Sequence, residues 1–224
     1  MDPAGQDQPL DLSADRAQAQ KLVNVSRETL DRLDRFVGVL LRWQRHTNLI
    51  AASTVKEVWT RHIADSLQLL TLAPQARIWV DLGSGAGFPG LAIACALADK
   101  PGAEVHLVES KAKKCAFLRE AVDAAGVPVV VHCERIEDFA VHFPKRPDLV
   151  AARALKPLLQ LLNLAYPLLK RGAQGLFPKG QDVEAELTQA AKCWTIRATL
   201  IPSLTDVQGR IVVVESLESR RNGG

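Results

Sequence analysis

The sequence predicts an α/β fold: a mostly parallel sheet of seven strands, the last of them antiparallel, preceded by a helical extension. Three observations predict it. From residue 77 onward, short apolar runs rich in β-branched residues alternate with helical stretches, which is typical of βαβ units. The first run enters a glycine-dense turn and then an apolar helix. Near the C-terminus two runs are joined by a turn-rich segment without a helix, which indicates a hairpin.

The chain before the sheet is predicted to form a polar tail and two helices. Residues 1–20 are acidic and polar, so we expect them to be disordered. In residues 26–46 apolar side chains recur every three or four positions, the period of one helix face. A second helix is predicted after residue 50, because Thr54 and Glu57 have the spacing of a capping box, and Pro74 ends the helical section. The predicted division is a disordered tail at 1–20, a helical extension at 21–75 and the main domain at 76–218.

The main domain is predicted to contain seven strands and four helices. The strands are expected at 78–82, 105–109, 127–131, 149–151, 175–177, 195–200 and 210–215. The helices are expected near 89–98, 111–125, 155–169 and 182–191. Gly126 follows the second of these helices, in the position where a glycine commonly ends a helix.

Composition excludes several classes of protein. No apolar run approaches the ~20 residues of a membrane span, and the N-terminus lacks the basic start and apolar middle of a secretory signal. We therefore expect a cytoplasmic protein without a membrane partner, and a monomer. The four cysteines form no C-x-x-C pair, so neither a metal site nor a disulfide framework is expected, and we interpret them as buried thiols. The net charge of +3 allows an anionic partner without requiring one.

The glycine-dense turn fits the phosphate-binding pattern of dinucleotide folds. Residues 85–90 match G-x-G-x-x-G, and Glu109 follows at close to the expected spacing. Pro89, however, falls where such a turn directs N–H groups at a pyrophosphate, and proline has none. An NAD site therefore stays open as an alternative, but a weaker one.

The same turn has a second interpretation when it is aligned from Asp81. An acid then ends the first strand and three alternating glycines follow, which looks like the loop that binds S-adenosylmethionine. A strand-end carboxylate can pair with the ammonium group of an amino-acid ligand, whereas it would repel a pyrophosphate. Glu109 ends the second strand and can accept both ribose hydroxyls, which either cofactor class requires.

Several segments together resemble the RsmG family, also called GidB. The segments are 80–90, Arg61-His62-Ile63-Ala64-Asp65-Ser66, 135–139, Arg153-Ala154, Lys179-Gly180 and 209–214, and the similarity runs from about residue 43 to 215. The resemblance implies a Rossmann-like class I fold that uses S-adenosylmethionine as cofactor. It implies methylation of N7 of a guanine in 16S ribosomal RNA, either free or in a precursor of the small subunit. The glycine turn alone is shared by many methyltransferases, but its combination with the other segments is more specific.

The predicted cofactor residues surround the glycine turn and the ends of the next strands. They are Asp81, Gly83, Gly85, Gly87, Phe88, Glu109, Ile136, Glu137 and Arg153. Gly83, Phe88, Ile136 and Glu137 match cofactor-binding positions of the family. An ordinary packing role for Phe88 and a solvated helix start for Glu137 are the simpler alternatives.

Arg153 is the predicted catalytic residue. It follows an apolar strand at the carboxyl end, where open α/β sheets bind their ligands, and the resemblance implies contact with the cofactor or the reacting groups. An arginine that bonded both O6 and N7 of guanine would occupy the lone pair that must react. We therefore expect Arg153 to bind a carboxylate, a phosphate or O6 alone.

His62, Lys179 and Arg210 are the predicted RNA contacts. His62 and Asp65 are three residues apart on a helix, so a structural pair is the simpler interpretation, and the resemblance adds a site-lining role. Lys179 and Arg210 lie near strand ends and are candidates for phosphate contacts, or solvated surface cations. No general base is expected, because N7 already exposes a lone pair. An NAD-dependent oxidoreductase and a catalytically silent RNA-binding module stay open as alternatives.

Overall fold

Seven strands form a single sheet in the order β3-β2-β1-β4-β5-β7-β6. The computed structural model describes residues 10–220. Strands β1 to β5 are mutually parallel, and β7 runs antiparallel to both β5 and β6. The strands are β1 Ile78–Leu82, β2 Glu104–Val108, β3 Val129–His132, β4 Leu149–Ala151, β5 Gln174–Lys179, β6 Trp194–Pro202 and β7 Arg210–Ser219.

In the described part of the chain, seven regular helices accompany the sheet. They are α1 Ser13–Leu22, α2 Arg27–Gln44, α3 Gly90–Leu97, α4 Ala112–Ala125, α5 Ile136–His142, α6 Leu158–Leu169 and α7 Val183–Ala190. Ser26 caps α2 by accepting a hydrogen bond from the Thr29 amide at 3.2 Å. Gly126 ends α4 at φ 66°, as the sequence predicts.

The fold predicted from the sequence is confirmed, with shifts at the ends of elements and with one helix, α5, beyond the four predicted for the main domain. Within the described residues the sheet has seven strands, and the single antiparallel strand is the last one. The hairpin strands β6 and β7 extend beyond 195–200 and 210–215, because they pair along their whole length across a register shift at Arg197 and Ala198. Helix α6 begins at Leu158 rather than at 155, since the residue before Pro157 is disfavoured in helical conformation.

The prediction of a disordered tail is wrong for residues 13–20, which lie in α1. Both carboxylate oxygens of Asp15 accept hydrogen bonds, from the amides of Trp59 at 2.7 Å and Thr60 at 3.2 Å. Ala19 on the same helix is buried in the core. A polar helix is thus ordered by long-range contacts that a local pattern cannot indicate. Residues 1–9 lie outside the described part of the chain, and the division into tail, extension and main domain stays a prediction.

The prediction of a second continuous helix after residue 50 is also wrong, because this part of the chain forms several short helical turns. Residues 52–72, which we name the connecting segment, contain a 3₁₀ turn (Ala52–Glu57), a π-helical turn (Trp59–Ala64) and two short α-helical turns (Asp65–Leu67 and Leu69–Leu72). Thr54 is not an N-cap; its hydroxyl donates to the Ala51 carbonyl at 2.9 Å. Asp15 of α1 bonds the amides at the start of the π-helical turn instead. Such turns are frequent at functional sites.

Two apolar clusters cover the two faces of the sheet. One packs α2, the connecting segment, α3 and α4 against the sheet, and the other packs α5, α6 and α7. Cys95 and Cys115 are buried as expected, whereas Cys133 and Cys193 are exposed, which corrects the interpretation of all four as buried thiols. Within residues 10–220, no helix combines the length and apolarity needed to cross a membrane.

Candidate active site

A cleft of about 1180 Å³ opens at the carboxyl ends of the parallel strands. Its walls come from the loops after β1 to β5, from the connecting segment and from the turn between β6 and β7. Eight arginine and lysine side chains line it, against five aspartates and glutamates. This excess of cations favours an anionic ligand.

The cleft brings together most of the residues that the sequence singled out. Those that line it are His62, Gly83, Gly85, Phe88, Glu109, Ile136, Glu137, Arg153, Lys179 and Arg210. Asp81 and Gly87 do not belong to the lining. Ligand binding by the lining residues stays a prediction, because the geometry shows their positions and not an occupant.

The loop after β1 is shaped by two glycines in left-handed conformation. Gly83 has φ 71° and Gly85 has φ 53°. The Gly83 amide donates to the Val108 carbonyl at 2.8 Å, which ties the loop to the end of β2. A Cβ atom on Gly83 would lie 2.5 Å from Cδ1 of Leu155, a neighbour in the cleft wall, whereas a Cβ atom on Gly85 would meet nothing closer than 3.6 Å. The loop therefore presents bare backbone to the cleft.

Asp81 lies behind the loop and does not line the cleft, and its predicted contact with a ligand stays a prediction. Its side chain is 2% exposed, and Oδ2 accepts a hydrogen bond from the Gly90 amide at 3.0 Å. Burial raises the pKa of Asp81 to about 7, although the bond from Gly90 opposes that rise. The carboxylate thus anchors the start of α3 beneath the loop.

Gly87 also faces away from the cleft. A Cβ atom there would lie 3.0 Å from the ring of Phe36 and 3.1 Å from Cβ of Leu91, and its φ is 84°. The glycine lets α2 pack closely against the loop. This shows a packing role for Gly87, and its predicted cofactor contact stays a prediction.

Glu109 joins the glycine loop to the start of α4. Its Oε2 accepts from the Gly85 amide at 3.2 Å, and its Oε1 accepts from the Lys111 amide at 2.8 Å. The side chain is 7% exposed and still lines the cleft. Because each carboxylate oxygen has a second lone pair, Glu109 can accept further hydrogen bonds from two hydroxyls of a ligand.

Arg153 follows β4, the strand next to β1, and is held by the connecting segment beside the glycine loop. Its guanidinium donates to the Arg61 carbonyl at 3.0 Å, to Asp65 Oδ2 at 3.3 Å and to His62 Nδ1 at 2.6 Å. Its Cζ atom lies 5.2 Å from the centre of the Phe88 ring, a cation–π contact. The next residue, Ala154, has φ 51°, a conformation that side chains rarely adopt. The geometry fixes the arginine in one place.

His62 is neutral and has a defined tautomer. Arginine can only donate, so Nδ1 accepts from Arg153 and Nε2 carries the proton that bonds Thr54 Oγ1 at 2.8 Å. Burial and the positive charges of Arg153 and Arg61 lower the pKa of His62 to about 3. Its ring stacks on Phe88, with the ring centres 5.0 Å apart. A neutral, doubly bonded imidazole is a poor phosphate ligand, so the predicted RNA contact of His62 is better described as a positioning role.

The connecting segment also bonds the turn between β6 and β7. Asp65 Oδ1 accepts from the Thr205 hydroxyl at 2.6 Å, and Gln68 Oε1 accepts from the Leu204 amide at 2.8 Å. Arg61 forms a salt bridge with Asp206 at 3.3 Å. Asp65 therefore bonds Arg153 with one oxygen and the turn with the other.

The two predicted basic contacts differ in their freedom to bind a phosphate. Lys179 forms a salt bridge with Glu186 at 2.8 Å and also donates to a backbone carbonyl. Arg210 donates to the carbonyls of Val207 and Gly209. Lys111, Lys114 and Lys156 also line the cleft and have no carboxylate partner within residues 10–220.

Three residues that organise the site escaped the sequence analysis. Thr54 was assigned to a helix cap, and Gln68 and Thr205 carried no signal. Asp65 and Thr205 are separated by 140 residues in the chain, and a lone threonine in a turn has no recognisable pattern. Only the fold brings them together.

Comparison with known proteins identifies the family. The family model described as "rRNA small subunit methyltransferase G", GidB, matches residues 29–212. The chain belongs to this family. A Bradyrhizobium protein (strain BTAi1) named ribosomal RNA small subunit methyltransferase G is 58% identical over 92% of this chain and 93% of its own. A protein of the same name from Nitrobacter hamburgensis is 57% identical over 93% of this chain and 80% of its own. The resemblance noted in the sequence is thereby confirmed.

Solved structures support the fold independently of sequence. The O-methyltransferase TomG from Streptomyces achromogenes, in complex with SAM, aligns with a TM-score of 0.59 over 91% of this chain and 96% of its own, at 14% identity. An O-methyltransferase from Bacillus cereus in complex with SAH aligns with a TM-score of 0.59 over 91% and 97%, at 13% identity. At this identity the likeness concerns the fold alone, which is that of class I methyltransferases.

Proposed function

We propose that this protein methylates N7 of a specific guanine in 16S ribosomal RNA, with S-adenosylmethionine as methyl donor. The observation that carries the proposal is the division of one cleft into two halves. A bare glycine loop and Glu109 form one half, and Arg153, fixed by the connecting segment, forms the other. Membership of the rRNA small subunit methyltransferase G family supports both the enzyme class and the ribosomal substrate.

The cofactor half suits a nucleoside that carries an amino-acid group. When bound, S-adenosylmethionine supplies an electrophilic methyl group on its sulfonium. Gly83 and Gly85 allow a ligand to approach the backbone, and Glu109 offers acceptor lone pairs to ribose hydroxyls. Ile136 and Glu137, at the start of α5, supply an apolar and a polar contact for adenine. These assignments rest on position in the cleft and on the match to the family.

The substrate half orients a nucleophile without deprotonating it. His62 is neutral with its Nε2 proton held by Thr54, and no cysteine lines the cleft within the described part of the chain. Guanine N7 needs neither a base nor a covalent intermediate, because it exposes a lone pair. One face of the Arg153 guanidinium packs on Phe88, and its N–H groups bond the connecting segment. We propose that its remaining N–H groups bind guanine O6 or a phosphate. The lone pair of N7 then stays free to react. Orientation then provides the rate enhancement.

The RNA partner is supported by the charge of the cleft wall. Lys156 and Arg210 stand on the same side as Arg153 with no carboxylate partner in residues 10–220, and Lys111 and Lys114 flank the glycine loop. Cations of this kind bind the phosphates of a nucleic acid. We further propose that the protein acts as a monomer in the cytoplasm, the compartment of its ribosomal substrate.

Transfer of labelled methyl groups tests the proposal. The wild-type protein is incubated with labelled S-adenosylmethionine and with small-subunit RNA or small subunits from cells that lack the modification. We expect label in 16S RNA at one guanine, which chemical cleavage specific for N7-methylguanosine maps. Label on a carbon or on an exocyclic amine would overturn the N7 assignment, and label confined to protein would overturn the RNA substrate.

Calorimetric titration separates this function from the NAD-dependent alternative. We expect S-adenosylhomocysteine to bind in the micromolar range or tighter and NAD to show no heat of binding. Tight NAD binding without S-adenosylhomocysteine binding would contradict the assignment of the glycine loop.

A further inference from the structure

An exposed apolar side chain stands at the rim of the cleft. We name residues 203–209 the rim turn, since they connect β6 to β7 and four of them line the cleft. Val207 in this turn is 91% exposed and Leu204 is 55% exposed. Among residues 10–220 only five large apolar side chains are exposed, and two of them lie in this one turn. A single exposed valine needs no explanation, but a pair beside a ligand cleft does.

The rim turn is held rigidly, so Val207 has a fixed position. Four bonds connect it to the connecting segment, through Ser203, Leu204, Thr205 and Asp206. Internal bonds shape its tip: the Gly209 amide donates to the Asp206 carbonyl at 2.9 Å, and Arg210 donates to the Val207 carbonyl at 3.0 Å. The contact surface at the tip therefore exists before any partner binds, which lowers the entropy cost of binding.

The surroundings of Val207 identify the chemistry of its partner. Arg61 and Arg210 flank the rim turn, and both line the cleft that holds Arg153. Arg61 pairs with Asp206 of the turn, whereas Arg210 has no carboxylate partner within residues 10–220. An apolar tip beside an unpaired cation matches a nucleic acid, whose bases have apolar faces and whose phosphates are anionic. Recognition of RNA usually requires unstacked bases that pack on protein side chains.

We propose that the rim turn is an RNA-contact element in which Val207 packs against the face of a nucleobase close to the target guanine. This inference rests on the proposed function, because it requires RNA in the cleft. Val207 belongs neither to the cofactor half nor to the arginine and lysine contacts of the cleft. Its role is to favour RNA in which the base is unstacked. Arg210, beside the turn, binds a neighbouring phosphate.

Matched substitutions of two exposed valines test the inference. Val141 on α5 is 65% exposed and does not line the cleft, so Val141→Asp controls for the charge and the surface change. We expect Val207→Asp to lower kcat/KM for RNA methylation at least about tenfold, with Val207→Leu close to wild type and Val207→Ala intermediate. Val141→Asp should match wild type, and all four variants should bind S-adenosylhomocysteine equally and unfold at the same temperature.

Two results would overturn the inference. One is Val207→Asp with wild-type kcat/KM, and the other is an equal loss in Val141→Asp. A photo-crosslinking amino acid at position 207 adds the identity of the partner: a crosslink to 16S RNA supports the proposal, whereas a crosslink only to a ribosomal protein in small subunits contradicts it. Failure of the proposed function is distinguishable, because the wild-type protein would then methylate no RNA at all.

Discussion

The proposed cofactor half of the cleft requires a residue without a side chain at position 83. Gly83 combines a left-handed backbone with a position against Leu155 in the cleft wall, where a Cβ atom would lie 2.5 Å from Cδ1. Gly102 shares the backbone conformation, with φ 74°, but a Cβ atom there would meet nothing within 4 Å. A comparison of alanine variants at the two positions therefore distinguishes the effect of backbone strain alone from the effect of an added side chain at the cleft.

Alanine substitutions at these two positions are expected to differ most clearly in ligand binding. Gly102→Ala should lower the free energy of unfolding by about 1–2 kcal/mol, the cost of a left-handed alanine. Gly83→Ala should lower it by at least as much, because Leu155 must also shift to admit the methyl group. Only Gly83→Ala should also weaken S-adenosylhomocysteine binding, by about tenfold or more. Calorimetry and denaturant unfolding measure the two effects. Equal affinities in both variants would remove Gly83 from the cofactor site.

His62 predicts a dependence of stability on pH. Its pKa is about 3 in the folded protein and about 6.5 in the unfolded chain, so between these values the unfolded state binds a proton that the folded state does not. The contribution of His62 to stability is therefore complete above pH 6.5 and is lost as the pH falls towards 3. In His62→Gln the free energy of unfolding should fall less steeply as the pH decreases, with a slope smaller by up to about 1.4 kcal/mol per pH unit. Unfolding by denaturant at several pH values measures it.

The exposed His142 gives the control for this experiment. It lies on α5 and bonds only the Asp138 carbonyl, away from the Arg153 network. His142→Gln should keep the wild-type pH profile. An unchanged profile in His62→Gln would contradict the buried, neutral imidazole.

At the scale of elements, the connecting segment determines the site. It bonds Arg153 through Asp65, and it bonds the rim turn through Asp65 and Gln68. Thr205→Val removes the hydroxyl bond to Asp65 and leaves a half-buried carboxylate oxygen with one partner fewer. We expect a loss of about 1–3 kcal/mol in the free energy of unfolding and a lower kcat for RNA methylation.

A matched threonine tests whether the coupling is specific. Thr199 lies exposed on β6 in the same hairpin. Thr199→Val should leave both stability and kcat close to wild type, and neither variant should change the affinity for S-adenosylhomocysteine. If Thr205→Val loses stability but keeps the wild-type kcat, the rim turn is not coupled to the reaction.

The elements that the sequence predicts are those governed by local rules. Strand β4 is a continuous apolar run and β1 is apolar apart from Asp81, and their observed bounds equal the predicted ones, because parallel strands are buried on both faces. The connecting segment escaped prediction because Asp15, more than forty residues earlier, bonds its π-helical turn. Helix α1 escaped for the same reason, since its order comes from tertiary contacts.

At the scale of the whole molecule, the cleft joins parts of the chain that are distant in sequence. The glycine loop and the acid after β2 were found from sequence because strand ends meet at one edge of a parallel sheet. The orientation of Asp81 and Gly87 could not be predicted from the sequence, since a pattern of glycines does not show which face of a turn meets the ligand. The partners of Arg153 on the connecting segment required the fold.

The most direct test of a two-half cleft is Arg153→Ala, examined by calorimetry and by single-turnover methylation of 16S RNA. Asp65 and His62 hold Arg153 in place. The proposed function assigns Arg153 to the substrate half, so we expect unchanged affinity for S-adenosylhomocysteine. Methyl transfer should fall by at least about a hundredfold, within the range for lost orientation of a substrate. Thermal unfolding confirms that the variant is folded. Methyl transfer at the wild-type rate would contradict the assignment of Arg153, and with it the substrate half of the cleft.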